Sequence, residues 1–280
     1  MQLHTIDTGY FKLDGGAMFG VVPKSLWQRT NPADENNLCT WAARLLLIED
    51  ENRLILIDTG LGDKQDEKFF RHYYRHGHDT LDRSLASKGF HTDDVTDVIL
   101  THLHFDHVGG AVSRVNGELL PTFKNATYWS NERHWDWALH PNPREKASFL
   151  SENILPLREH GQLAFVGEDG RLPFTEKIRL RFVHGHTEAM MLPQIAYNGK
   201  TLLYMADLLP SAGHIPIPYV MGYDIRPLET MQERQEYWQE IVDNEFVLFL
   251  EHDPVNECCT LQVTEKGIRL KDTFSLREWA

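Results

Sequence analysis

Five apolar segments of this chain end in the same way, and that recurrence constrains the fold more than any other feature. Arg53–Ile57 runs into Asp58-Thr59-Gly60, and Asp97–Leu100 into Thr101-His102-Leu103-His104-Phe105-Asp106-His107-Val108-Gly109-Gly110. Ile178–Val183 runs into His184-Gly185-His186-Thr187, Thr201–Met205 into Ala206-Asp207, and Phe246–Leu250 into Glu251-His252-Asp253. Short apolar runs bounded by polar residues read as buried strands. Ligand-type side chains at successive strand ends can converge on one rim of a sheet, where α/β folds place their chemistry. Between these runs the pattern turns helical: Leu81 and Leu85 share a face ahead of Gly89, Pro143–Leu155 is expected to be a helix, and Met231, Trp238, Ile241 and Val242 mark another within Glu229–Asp243. The polar turn Glu49–Asn52 and the pair Asn198-Gly199 predict hairpins, and a last one turns at Gly267. No linker or low-complexity tract divides the chain, so residues 1–280 are expected to form one α/β domain.

The segment from His102 to His107 has its own logic. His102 and His104 are two residues apart, so an extended chain points both imidazoles the same way. Asp106 and His107 follow as the chain turns, and Gly109-Gly110 permits a tight exit. Three imidazoles and a carboxylate exceed what one zinc takes from a single segment, since a tetrahedral site draws four ligands from the whole fold. Two cations resolve this, one on the His102/His104 pair and one on the Asp106/His107 pair. Each then needs further ligands, and His186, Asp207 and His252 stand at other strand ends. A carboxylate such as Asp207 can bridge two ions through its two oxygens. Ions about 3.5–4 Å apart can share a hydroxide and polarise a substrate oxygen.

Composition narrows the alternatives. With 28 Lys+Arg against 41 Asp+Glu, the net charge is −13, which disfavours a phosphate-backbone partner, so no nucleic acid is expected. No run reaches the length of a membrane span and the first residues lack a signal-peptide pattern, so the expectation is a cytoplasmic protein with no membrane partner. The three cysteines, Cys39, Cys258 and Cys259, make neither a disulfide framework nor a CxxC zinc site.

The ordered set Thr101-His102-Leu103-His104-Phe105-Asp106-His107, His186, Asp207 and His252, with Leu56-Ile57-Asp58-Thr59-Gly60 before it, resembles the metallo-β-lactamase-fold hydrolases. The resemblance implies an αββα four-layer sandwich of two pseudo-symmetric halves with metals at one edge. It implies that His102, His104 and His186 bind one metal, that Asp106, His107 and His252 bind the other, and that Asp207 bridges them. The block Gly9–Gly20 and His214-Ile215-Pro216 resemble the branch of quorum-quenching lactonases and methyl-parathion-type hydrolases. Familiar acyl-homoserine-lactone lactonases carry a tyrosine three residues after the bridging aspartate, where this chain has Pro210.

Several residues compete for these roles. His184 rivals His186; His186 is preferred because it precedes the polar turn at Thr187. His214 rivals His252; His252 is preferred because it follows a rigid apolar strand, which leaves His214 near the pocket as a substrate contact or a support. Asp58 is expected to orient a metal-bound imidazole, with an N-cap as its alternative. His72 and His76, four apart on an expected helix, could chelate a metal, but a solvated face is the simpler reading. The stretch Trp129–Trp137 could wall a pocket or pack in the core.

The expected activity is hydrolysis of a small ester, lactone or phosphotriester by a hydroxide shared between two divalent ions. Zinc is the first choice, with manganese, iron or cobalt as alternatives. Asp106 would move the proton and Asp207 would hold the two ions together. An iron-dependent oxidoreductase of the same fold is the competing class. Part of the apolar rim could serve a homodimer instead of a small-molecule substrate.

Overall fold

A computed structural model describes residues 1–280. In chain order the strands are β1 (Gln2–Asp14), β2 (Leu38–Asp50), β3 (Arg53–Ile57), β4 (Asp97–Ile99), β5 (Val112–Val115), β6 (Glu118–Pro121), β7 (Thr127–Ser130) and β8 (Leu163–Phe165). They continue as β9 (Arg171–Leu172), β10 (Thr175–Val183), β11 (Met190–Tyr197), β12 (Lys200–Tyr204), β13 (Val247–Phe249), β14 (Cys258–Thr264) and β15 (Gly267–Phe274). One sheet has the order β1-β2-β3-β4-β7-β8, a second the order β15-β14-β13-β12-β11-β10-β9, and β5 pairs with β6 alone. The chain forms two compact units, the first made of Met1–Gly9, Ala43–Asp169 and Ala280, the second of Tyr10–Ala42 and Gly170–Trp279.

In the first unit the parallel strands β3 and β4 are buried on both faces beyond Arg53, as strands covered on both sides are, while β7 and the edge strand β8 are less buried. Leu45, Leu47, Leu56, Val98, Leu100 and Tyr128 join Leu85 and Leu157 from flanking helices in one buried cluster. Each such side chain contributes about 1.5–3 kcal/mol by leaving water. The expected β2–β3 hairpin forms, with Asp50 opposite Arg53 and Glu51 in the left-handed region at φ 54°. In the second unit, Asn198 and Gly199 both take positive φ between β11 and β12, the backbone that a tight two-residue hairpin requires. The helix Pro227–Asp243 buries Thr230, Arg234, Tyr237, Trp238 and Ile241, a stripe of helical period against the sheet.

Two expected helices differ. The segment from Pro143 does not become helical until Ser151, and the helix runs to Glu159. The Asn142 side chain accepts the backbone N–H of Arg144 and of Glu145 and the Asn142 carbonyl that of Lys146, so the chain makes a capped turn here that does not continue into the helix. The helix before His72 covers only Glu67–Phe70, so His72 and His76 do not share a helical face and the chelating pair does not form. No helix is long and apolar enough to cross a membrane.

Candidate metal-binding residues

In the first unit the strand-end logic brings four expected ligands together. β4 delivers the chain to Thr101, and His102, His104, Asp106 and His107 follow within a buried turn. The His102 ring lies 4.6 Å from that of His104 and 3.9 Å from that of His107, centroid to centroid. Asp58 fixes two of them. Its Oδ2 accepts the His107 Nδ1–H at 3.0 Å and the Thr101 hydroxyl at 2.7 Å, and its Oδ1 accepts the Thr101 backbone N–H at 2.8 Å. Because the Thr101 hydroxyl is spent on Asp58, it accepts from His102 Nδ1, 3.1 Å away. The proton of each imidazole is thereby assigned to Nδ1, and Nε2 is the atom that His102 and His107 would offer a cation. Asp58 holds this post in the left-handed region, at φ 59°. The glycines behind it are sterically required: a Cβ at Gly109 would lie 2.0 Å from the Leu61 carbonyl oxygen, and one at Gly110 2.2 Å from that of Thr59. The N-cap alternative for Asp58 gives way to this tie between two loops.

The second unit holds the other three. β10 ends at Val183, and His186 follows in the turn. Its Nδ1–H donates to Asp224 Oδ1 at 2.9 Å, and its Nε2 lies 3.1 Å from Asp207 Oδ2. The other oxygen of Asp207 lies 3.2 Å from His252 Nε2. His252 Nδ1–H donates to the Ala42 carbonyl at 2.8 Å, while the Ala42 N–H donates back to the His252 carbonyl. Asp207 therefore stands between two imidazoles, one facing each oxygen, and is presented by a left-handed turn at Ala206, φ 41°. Burial alone would hold His186 neutral. The charges of Asp207 and Asp224 prevail and push it up to about 10. Two buried carboxylates on one imidazole demand positive charge there, as a proton or as a metal.

The competing histidines are separated by the same geometry. His184 is held by Glu188, with Nδ1 3.1 Å from Oε1, and it is His186 that meets Asp207. His214 is fully buried and stacks on Phe19 at 4.2 Å. Its Nε2–H donates to the Met18 carbonyl and its Nδ1 accepts from the Ser211 hydroxyl. Both ring nitrogens of His214 are thus engaged within the protein, and the side chain has no exposed surface. Trp135 packs in the core of the first unit, and Trp129 donates its indole N–H to Asp97, so the tryptophan stretch is structural at those positions.

Sequence reasoning missed Asp224, Glu145, His134 and Arg234. The first lies 38 residues from the histidine it orients, and no local spacing marks it. Arg234 carried a weak signal, a charged residue on the apolar stripe of its helix.

The model of the metallo-beta-lactamase superfamily matches residues 45–243. A probable metallo-hydrolase of Mycobacterium tuberculosis is 38% identical over 74 residues, which is 24% of this chain and 24% of the relative, so the match spans about a quarter of that protein. An N-acyl homoserine lactonase of Bacillus thuringiensis is 27% identical over 201 residues, 64% of this chain and 72% of the lactonase. Among solved structures, a probable metal-dependent hydrolase from Staphylococcus aureus superposes with a TM-score of 0.86 at 24% identity, over 98% of both chains. A dizinc quorum-quenching lactonase, solved with its product, superposes with a TM-score of 0.80 at 22% identity, over 98% of this chain and 95% of the other.

Proposed function

Because the chain belongs to the metallo-beta-lactamase superfamily and has its fold, we propose that it is a hydrolase with a dinuclear metal centre acting on a small lactone or ester. In this reading His102, His104 and His186 hold one divalent cation, Asp106, His107 and His252 hold the second, and Asp207 serves both. The observation that carries it is the placement of Asp207, with each carboxylate oxygen turned to the Nε2 of a different buried imidazole. The donor set fits. His102, His107, His186 and His252 each have Nδ1 engaged by an oxygen acceptor, which aims Nε2 at a ligand. Nitrogen and carboxylate donors without thiolate suit zinc, with manganese, iron or cobalt as alternatives. The related dizinc lactonase supports zinc as the first choice.

The chemistry such a pair of cations would supply when bound is a more acidic water and a polarised substrate carbonyl. The protein's own residues do the rest. Asp58 and Asp224 hold the imidazole tautomers, so the ligand geometry is set before substrate arrives. Asp106, in the Phe105–Val108 turn, would carry the proton to the leaving group, since a carboxylate beside the attacking water can relay it. Phe69, Tyr73 and Phe105 form an aromatic cluster beside it, with ring centroids 4.6–5.3 Å apart. Burial first, and then the charge of Asp106, push the Tyr73 phenol up to about 12, so it stays protonated as a hydrogen-bond donor. An apolar substrate with a neutral carbonyl matches this wall better than a polyanion does, and the lactonase relatives favour a lactone.

The test is metal content on protein purified without chelator, with the same sample assayed on lactone, ester and phosphotriester panels. About two zinc-like ions per chain with lactone or ester turnover is the expected result. A single iron with no hydrolysis on any panel would overturn it in favour of redox chemistry.

A further inference from the structure

The His102-Leu103-His104 segment is gripped from behind by the helix Glu132–Leu139 and the turn that follows it. Asn131 caps this helix, its side chain accepting the His134 backbone N–H at 2.8 Å, which sets His134 at the start of the first turn. The His134 ring is fully buried, and its Nε2 accepts the backbone N–H of Leu103 at 2.9 Å. One turn further on, Trp137 donates its indole N–H to Glu145 Oε2 at 2.9 Å, and the Asn142 amide donates to the same oxygen. The other oxygen of Glu145 lies 3.4 Å from His104 Nε2. Phe149 packs on the His104 ring at 4.8 Å and on the His134 ring at 5.9 Å, and the Phe105 N–H donates to the Ser148 carbonyl at 2.9 Å.

We infer that Glu145 is a positioning residue that fixes the tautomer and orientation of His104, and that Trp137 and His134 hold the pair in register. The inference rests on the reading of this region as a metal centre. A buried carboxylate accepts the Nε2–H of His104 and keeps the proton there, so Nδ1 is the atom offered to a cation. Glu145 itself cannot turn away, because Trp137 and Asn142 hold its far oxygen. The two ends of Glu145 thus meet N–H groups of Trp137 and Asn142 on one side and of His104 on the other, and an acceptor at both ends satisfies them. Glutamine cannot. If its amide nitrogen faces His104, the imidazole must become an acceptor at Nε2 and move its proton to Nδ1, the atom that would bind metal. If the amide faces Trp137 and Asn142, donor meets donor in a buried site. This assigns the end of the tryptophan-rich stretch to metal-ligand support, a role its composition does not announce.

The test compares wild type, Glu145→Gln and Trp137→Phe, each stripped and reloaded with zinc or cobalt. Affinity is measured by competition with a chelator, together with the visible spectrum of the cobalt form and thermal unfolding of the metal-free form. Glu145→Gln is expected to weaken one of the two bound ions by about 10–100-fold and to shift the cobalt bands. Trp137→Phe, which keeps the carboxylate and removes only the indole donor, should shift both in the same direction by less. Wild-type affinity and an unchanged cobalt spectrum in Glu145→Gln, even with a lower Tm, would overturn the inference by leaving Glu145 a merely structural role. Should Glu145→Gln fail to fold, Trp137→Phe with wild-type affinity and spectrum decides against it equally. If wild type itself takes up no cation, the proposed function falls as well, and that outcome is distinct from a difference between wild type and variants.

Discussion

Arg234 has no exposed surface, yet it carries a full charge into the interior of the second unit. Burial pushes its guanidinium down to about 10, so it stays protonated at neutral pH. Its Nε donates to the Leu208 carbonyl at 2.8 Å, and its Nη1 to those of His214 at 3.0 Å and Tyr219 at 2.8 Å. One side chain thereby ties down both ends of the loop that follows Asp207. Arg234→Met keeps most of the volume and removes all three donors. Hydrogen bonds from a charged donor contribute about 1.5–3 kcal/mol each. Against this, the variant escapes the desolvation of a buried guanidinium, which costs several kcal/mol. The carbonyls left behind are buried and cannot all be rehydrated, so the loss prevails at about 3 kcal/mol net. For a chain of this size that lowers Tm by about 6–12 °C. Arg234→Lys keeps the charge but cannot span three acceptors, and should fall between the two. Thermal unfolding followed by circular dichroism measures the effect. A Tm for Arg234→Met within about 2 °C of wild type would refute the clamp.

Three further outcomes follow from named contacts. Asp106→Asn should fold normally and retain metal while losing about 100-fold or more in turnover, since the amide cannot take up a proton; an equally active, metal-replete variant contradicts the proton role. Asp224→Asn should weaken metal retention by about 10–100-fold through the loss of the acceptor behind His186, as read by chelator competition, and unchanged retention would dismiss that support. His214 is pushed down to about 3, first by burial and then by the charge of Arg234. The unfolded chain, titrating near 6.5, binds the proton more readily, so this group's contribution is fully present above pH 6.5 and is lost as pH falls from there toward 3. The slope is about 1.4 kcal/mol per pH unit well inside that window. Urea unfolding at neutral pH and near pH 5 should show a smaller pH-dependent loss in His214→Asn than in wild type; equal losses would show that His214 does not drive it.

The legible part of this protein is the part whose signals are local. The apolar runs at β3, β4, β10, β12 and β13 are readable because a buried strand has to be apolar, and the polar residues at their ends stand out for the same reason. The Asn198-Gly199 turn is readable because few residues tolerate its positive φ. The start expected at Pro143 is misplaced because Asn142 caps a turn that does not propagate, and the helix itself begins only at Ser151. β1, thirteen residues long, escapes notice because its burial is irregular and its sequence does not alternate cleanly.

By itself, the sequence determined the residue types available for metal chemistry and their order, His102, His104, Asp106, His107, His186, Asp207 and His252, since ligand identity and strand-end position are local properties. Tertiary structure alone decided how those residues are held. It set His186 against Asp207 and turned His184 toward Glu188; it enclosed His214 with both nitrogens engaged; and it placed Asp58, Glu145 and Asp224 behind different imidazoles. The physical reason is that a histidine's tautomer is chosen by its hydrogen-bond partner. Here those partners come from strand ends, helices and turns roughly 40 to 50 residues away, where in the sequence they look like any other acidic side chain.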